Sequence, residues 1–387
     1  MARLTLPRSM LALITALLLT YAFVIAPRTA SGARGEAAAT AAPSAPATAA
    51  PSAPATPAPP PRPEPVLFPP AGKTFIGVMT NEGPYDFTPV NAFAAAAKRQ
   101  PQAMLFGAGW ASAAFDRVLF DRIRDRGMLP MLAWEPWDYR LDETSRKKGF
   151  SARKIDRIRS DQPRYRLAQI TRGSFDPYLR SWAQGIKALG YPVAIRFAHE
   201  MNGDWYPWCE TANGNRPGDY VKAWRHVHAV FEAAGVQNVI WTWSPNVRWD
   251  DSTPKLATLY PGDDYVDWVG LSGYYGTGAL STYRSFDAIF SPTIREIRGF
   301  THKPLVVTET GASDGKGRKA EWIRQAFELL SGHRDIIGLI WFEARKEVDW
   351  RIVSSPAVAK AFARAVAAPR YDVGWSPAMV PRTRVEE

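Results

Sequence analysis

Eight short apolar stretches, most of them separated by enough chain for a helix, constrain this sequence more than any other feature. They run Phe75–Met79, Ala103–Phe106, Leu129–Ala133, Val193–Ala198, Val239–Trp243, Val266–Ser272, Leu305–Thr308 and Ile336–Trp341. Apolar residues on both faces mark strands that are covered on both sides. Helical patterns fall between them at Ala113–Arg126, from Asp176 onward, and at Asp219–Ala234, Tyr283–Arg298, Arg318–Leu330 and Pro356–Ala367. Asp176 reads as an N-cap with Pro177 in the first helical position. Eight strands alternating with helices predict an α/β chain folded as a (β/α)8 TIM barrel. A doubly wound open sheet would also alternate, but no glycine-rich phosphate loop supports one.

The barrel leaves both ends of the 387-residue chain over. Four segments are expected: an export signal or signal anchor at 1–33, a disordered linker at 34–66, the barrel at 67–370, and a tail at 371–387. Arg3 and Arg8 precede an apolar run from Leu11 to Ala26, and Ser31, Gly32 and Ala33 offer a small-residue cleavage site. That run is short for a membrane span, which favours a cleaved signal, with an uncleaved anchor as the alternative. From Gly35 to about Pro65 the chain is almost entirely Ala, Pro, Thr and Ser. Such a composition buries no core and reads as an extended spacer outside the cytoplasm, lifting the barrel from a membrane or through a wall. Cys209 is the only cysteine, so no disulfide forms within the chain.

The net charge is +11, of which Arg3, Arg8 and Arg28 leave with a signal cut after Ala33. Much of the remaining excess lies in Arg146–Arg166, RKKGFSARKIDRIRSDQPRYR. A solvated helix face accounts for it, as does attraction to anionic wall polymers or an acidic polysaccharide. An exported chain with no recognition motif gives no reason to expect nucleic acid, and a monomer is expected.

In such a barrel the chemistry collects at the C-terminal strand ends. Those ends hold Trp134, Glu135, Pro136 and Trp137; His199, Glu200 and Asn202; Ser244 and Asn246; Tyr274 and Tyr275; Glu309; and Trp341 and Glu343. The stretch PVAIRFAHEMNGDWYPW, Pro192–Trp208, is the richest. Under the two-residue strand period Arg196, Ala198 and Glu200 share one side. Each residue alone fits ordinary packing or a satisfied polar pair. Together, carboxylates beside Asn202, Gly203 and three aromatics suit a sugar ring better than a core. Glycoside hydrolysis needs two carboxyl groups flanking the scissile bond, and Glu200 and Glu309 would face each other across the mouth from strands four and seven. Arg196 needs a buried anionic partner and reads as structural. The five His are scattered, with His226 and His228 in a helical pattern, so no metal site is expected.

RFAHEMNGDWYPW, VIWTWSPN, VDWVGLSGYY, VVTETGAS and VDWRI, in that order between Phe75 and Val353, resemble the family-26 glycoside hydrolases, retaining (β/α)8 enzymes. The resemblance implies Glu200 as acid/base, Glu309 as nucleophile and no cofactor. Its implied substrate-binding set is His199, Asn202, Trp205, Tyr274 and Trp341, joined by Trp134 and Glu135 from strand three. Tyr274 would donate to Glu309, His199 would bond near the nucleophile or sugar, Trp205 and Trp341 would line the cleaved subsite, and Asn202 and Trp208 would brace the loop. Desolvation beside Trp205 and Trp208 would keep the acid protonated, and donors from Tyr274 and His199 would keep the nucleophile charged. The implied substrate is β-1,4-mannan, cut internally, with mixed-linkage β-glucan and β-1,3-xylan in smaller branches. Where mannan-cutting members place a His near strand three, this chain has Trp134–Trp137; Glu135 there grips sugar hydroxyls or buttresses Arg196. The reading from another class is a polysaccharide-binding or assembly component, which would have no use for both carboxylates.

Overall fold

Both faces of the strands are apolar because each is covered, inside by its neighbours across the barrel and outside by helices. The strands are β1 (Phe75–Met79), β2 (Ala103–Gly109), β3 (Leu129–Glu135), β4 (Val193–Phe197), β5 (Val239–Trp243), β6 (Trp268–Tyr275), β7 (Leu305–Ala312) and β8 (Ile336–Phe342). In this computed structural model they pair in parallel, each with the next, and β8 closes on β1. The predicted (β/α)8 barrel is therefore the fold. The structure describes residues 66–384 apart from 112, 249–253, 277–281, 315–316 and 347. The expected signal at 1–33, and the expected linker up to residue 65, lie outside the described residues.

The outer layer consists of α1 (Thr88–Ala97), α2 (Arg117–Arg124), α3 (Tyr139–Lys147), α4 (Ala152–Ser160), α5 (Asp176–Leu189), α6 (Asp219–Ala233), α7 (Phe286–Arg298), α8 (Lys319–Gly332) and α9 (Pro356–Val366). Their starts follow from local chemistry: Asp116 accepts from the Val118 amide, Asp138 from Arg140 and Ser285 from Ala288, each satisfying a donor that the helix leaves unpaired. In α5 the N-cap is Phe175, one residue earlier than expected, so Asp176 sits in the first turn, where its charge meets the positive helix end. The basic stretch after β3 is α3, α4 and the turn that follows. No helix among the described residues is long and apolar enough to cross a membrane.

Of the expected tail at 371–387, the described residues 371–384 return to the barrel rather than standing apart from it. Val380–Pro381 pairs in parallel with Leu67–Phe68, and the Trp268 indole donates to the Arg382 carbonyl at 2.7 Å. Phe68 packs on Phe75 at 5.1 Å and Phe75 on Trp268 at 5.7 Å, which closes the N-terminal end of the barrel. The seam there is tight: a Cβ on Gly77 would lie 2.1 Å from Ile340 Cδ1. With that end closed, the C-terminal mouth is the open one.

Candidate active site

β4 carries Arg196 into the barrel interior, where it is 0% exposed. Its Nε donates to Ser244 Oγ at 2.9 Å, its Nη1 to Glu309 Oε2 at 2.8 Å and its Nη2 to Ser272 Oγ. A buried guanidinium requires such partners, because desolvating it unpaired costs several kcal/mol. The anionic partner expected from the sequence is thus Glu309, and Arg196 belongs to the site rather than only to the scaffold.

Past Phe197 the chain leaves strand geometry. Ala198 and Glu200 both take left-handed φ, 45° and 55°, so Glu200 does not follow the period-two alternation expected from Arg196. Non-glycine residues held there cost roughly 1–3 kcal/mol each and persist only when the surroundings fix them. Here the surroundings do so. The Ala198 amide donates to the Trp134 carbonyl at 3.0 Å, the Glu200 amide to the Ser244 carbonyl at 2.7 Å, and the Trp208 indole to the His199 carbonyl at 2.6 Å.

This turn delivers the Glu200 side chain to the mouth. Its Oε2 accepts from the Trp205 indole at 3.0 Å, and the Asn246 side chain also hydrogen-bonds it. Burial raises its pKa, and the Glu309 charge adds to that; Arg196, Asn246 and Trp205 act against it. The Trp205 ring folds back over Gly203, where a Cβ would come within 2.5 Å of it. That close approach is what the glycine in HEMNGDW permits.

Glu309 reaches the mouth through an irregularity in β7. Leu271 pairs with Val307 but Ser272 pairs with Glu309, leaving Thr308 as an extra residue, and the β8 side is shifted at the same place. Such a bulge re-aims the side chain that follows it. Glu309 Oε1 accepts from the Tyr274 hydroxyl while Oε2 accepts from Arg196, so both oxygens are held. The site therefore pairs a carboxyl biased to keep its proton with a carboxylate locked as an acceptor, the arrangement that acid-assisted displacement at a sugar carbon needs.

The remaining expected residues divide. Trp134 and Trp341 do not reach the mouth: both are 0% exposed and belong to the helix-facing side of their strands. Trp134 packs on Trp182 at 5.2 Å and donates to Tyr178 Oη at 3.2 Å; Trp341 packs on Phe362 at 5.4 Å and donates to the Trp350 carbonyl at 3.1 Å. Strand alternation sends them outward while Glu135 and Phe342 turn inward. Asn202 spends its amide on the loop, donating to the Asn246 carbonyl and accepting from its amide, both at 2.9 Å.

His199 does not bond Glu309. Its Nε2 lies 3.9 Å from Glu135 Oε1, and its Nδ1 is buried without a hydrogen bond. Burial, with the Arg196 and Lys346 charges, holds its pKa well below the usual range, so it is a neutral imidazole. Glu135 accepts from the Trp137 indole at 2.9 Å rather than bonding Arg196, and burial pushes its pKa up to about 7. It borders a cavity of about 530 Å³ that runs past Gly107 and Gly109 to Tyr85 and Tyr139.

Three contributors went unassigned in the sequence. Arg196 had a signal, since a charge inside an apolar strand requires a buried counter-charge. Asn246 had only its place after β5. Trp350, 4.9 Å from the Tyr274 ring, lies in a loop whose path no periodicity predicts. No cluster of three metal-ligating side chains occurs among the described residues, and His226 bonds Asp176 at 2.7 Å.

The model of glycosyl hydrolase family 26 matches residues 171–326. Endoglucanase H of Acetivibrio thermocellus is 32% identical over 258 residues, covering 65% of this chain and 26% of that protein. A mannan endo-1,4-beta-mannosidase of Bacillus subtilis is 28% identical over 144 residues, 35% of each. The chain thus spans between about a quarter and about a third of these two relatives' lengths. Among solved structures, a GH26 beta-mannanase from Bacteroides ovatus aligns with a TM-score of 0.55 at 18% identity, covering 77% of this chain and 90% of that one, which shows a shared fold.

Proposed function

We propose, from the premise that this chain belongs to glycosyl hydrolase family 26, that it is an endo-acting glycoside hydrolase working by double displacement. The observation that carries this reading is the contrast between the two mouth carboxyls. Burial and a neighbouring charge bias Glu200 toward its protonated form, while Glu309 is held by Arg196 and Tyr274. In the first step Glu309 attacks the anomeric carbon, the glycosidic bond breaks, and Glu200 gives its proton to the leaving oxygen. In the second, Glu200 takes a proton from water, whose oxygen displaces Glu309 from the sugar. Forming the ester removes the Glu309 charge that helps raise the Glu200 pKa, so the acid of the first step becomes a base for the second.

A β-1,4-mannan-type polysaccharide is the first substrate reading, since the relatives include mannan endo-1,4-beta-mannosidases. A β-glucan is the second. It is favoured by Endoglucanase H, which matches 65% of this chain. The basic N-terminus, apolar run and Ala/Pro spacer support an exported, surface-held enzyme. The test is hydrolysis of mannan, glucomannan, mixed-linkage β-glucan and β-1,3-xylan by the wild type and by Glu309→Ala, with NMR of the first anomer released. One polymer should be cut with retention, and the variant should be inert. A folded protein that cuts none of them, yet binds one, would move the reading to a polysaccharide-binding component. A cell fraction holding the protein only in the cytoplasm would refute export.

A further inference from the structure

The connection from β3 to α5, which holds α3 and α4, has more charge than its structural duties use. Residues 139–166 contain ten Lys and Arg against four Asp and Glu. Some of these serve the fold: Arg159 Nε donates to the Trp205 carbonyl at 3.1 Å and Arg166 Nε to the Asn213 carbonyl at 2.7 Å, tying the segment to the loop that carries Glu200. Lys147, Lys148, Arg153, Arg157 and Arg164 are exposed, and no carboxylate among the described residues pairs with them.

At the edge of this basic face lies a cavity of about 530 Å³, bordered by Trp110, Asp138, Arg140, Arg164, Tyr165 and Tyr178 among others. Glu135, Glu200 and Glu309 do not border it, so it is separate from the mouth. Its volume falls in the range of small-ligand sites. Trp110, itself buried, backs Tyr178 at 5.4 Å, and the half-buried Tyr178 and Phe175 supply aromatic surface of the kind a pyranose ring rests on. Asp138 grips Arg140 through both oxygens, at 2.7 and 2.8 Å, which fixes one guanidinium and cancels its charge. Arg164, exposed 5.9 Å from the Tyr165 ring centre, keeps its charge. Burial pushes the Tyr178 hydroxyl up, so it remains a neutral group able to donate. The uncompensated Arg164 fork beside an aromatic face matches a sugar that bears a carboxylate, and the surrounding positive face favours a chain of them.

We propose that this cavity is a secondary binding site for a carboxylate-bearing polysaccharide, a uronic-acid polymer, which the basic face then follows. The site stands whether or not the mouth cuts such a chain. The test uses the full chain with Glu200→Gln, which stops acid catalysis and leaves the Arg196–Glu309 pair in place. Calorimetric titration compares a β-1,4-glucuronan hexasaccharide with cellohexaose, the same linkage without the carboxylates. The charged sugar should bind at least about tenfold tighter, weaken with added salt, and lose about tenfold on Arg164→Gln. A further Trp205→Ala change in the mouth should leave glucuronan binding unmoved. Equal affinity for the two sugars, an unaffected Arg164→Gln, or loss on Trp205→Ala would each overturn the site. Equally tight binding of poly-glutamate would reduce it to a charged surface with no saccharide recognition.

Discussion

Arg196 and Glu309 meet at 2.8 Å with the guanidinium at 0% exposure and the carboxylate side chain at 17%, so the site's anchor and the carboxylate proposed to attack form one unit. Replacing Arg196 with Met would strand Glu309 without its counter-charge and leave the Ser244 and Ser272 hydroxyls without their donor. Breaking a buried pair from one side costs about 3–5 kcal/mol. Arg196→Met is therefore expected to lower the urea midpoint markedly and to depress kcat in the fraction that remains folded. Wild-type kcat in a stable Arg196→Met protein would show that the pair serves neither stability nor catalysis.

The Trp205 indole donates to Glu200 and so favours its ionised form. Trp205→Phe removes that donor, and the Glu200 pKa, already raised by burial, should rise further. An acid is active only while protonated, so the basic limb of the kcat/KM profile is expected to move to higher pH. Loss of the positioning bond should cut kcat by about tenfold, the weight of one hydrogen bond to a charged group. A basic limb that moved to lower pH would reject Trp205 as a donor to the acid.

Glu135 separates stability from catalysis. Its folded pKa of about 7 lies above its ordinary 4.5, so the folded state binds its proton more tightly than the unfolded chain does. The stability this gives is complete below about pH 4.5 and is lost as pH rises through 7. Glu135→Gln imitates the protonated form at every pH. The variant's Tm should match the wild type in acid, pull ahead between pH 4.5 and 7, and keep a constant lead above that. His199, 3.9 Å from Glu135 Oε1, is held neutral with its pKa well below the usual range and so stays uncharged through this window; scanning calorimetry at three pH values measures the difference. A lead that shrank with rising pH would contradict the assignment.

The sequence made the barrel legible because eight apolar stretches and their spacing are redundant signals: losing one would not change the fold they imply. It showed α1 poorly, since NAFAAAA carries little amphipathic contrast, and it hid α3 and α4 inside a charge run. At the site, HEMNGDW located Glu200 but not its path, because nothing at Ala198 or Glu200 marks left-handed backbone as a glycine would. The extra residue at Thr308 is equally silent. Trp134 and Trp341 show the limit of reading strand ends: an aromatic there lies in the mouth or under the helices by a shift of one residue, and apolar runs do not fix which.

Trp341 and Trp350 make that last distinction measurable. Trp341 is fully buried against Trp322 at 6.3 Å and Phe362 at 5.4 Å, with its indole bonded to the Trp350 carbonyl. Truncating it opens a cavity in the helix-facing core, and Trp341→Ala should cost about 3–5 kcal/mol. Because Trp341 meets the site only through the Trp350 carbonyl, KM for the folded fraction should hold, and Trp341→Phe should recover much of the loss. Trp350 instead packs against the Tyr274 ring, whose hydroxyl binds Glu309. Trp350 is 2% exposed, so Trp350→Ala should also lower Tm, but it frees the Tyr274 ring to move and should, unlike Trp341→Ala, depress kcat in the folded fraction as well. Denaturant titrations alongside steady-state kinetics of both variants decide the matter: a raised KM with intact stability in Trp341→Ala would return that residue to the sugar site.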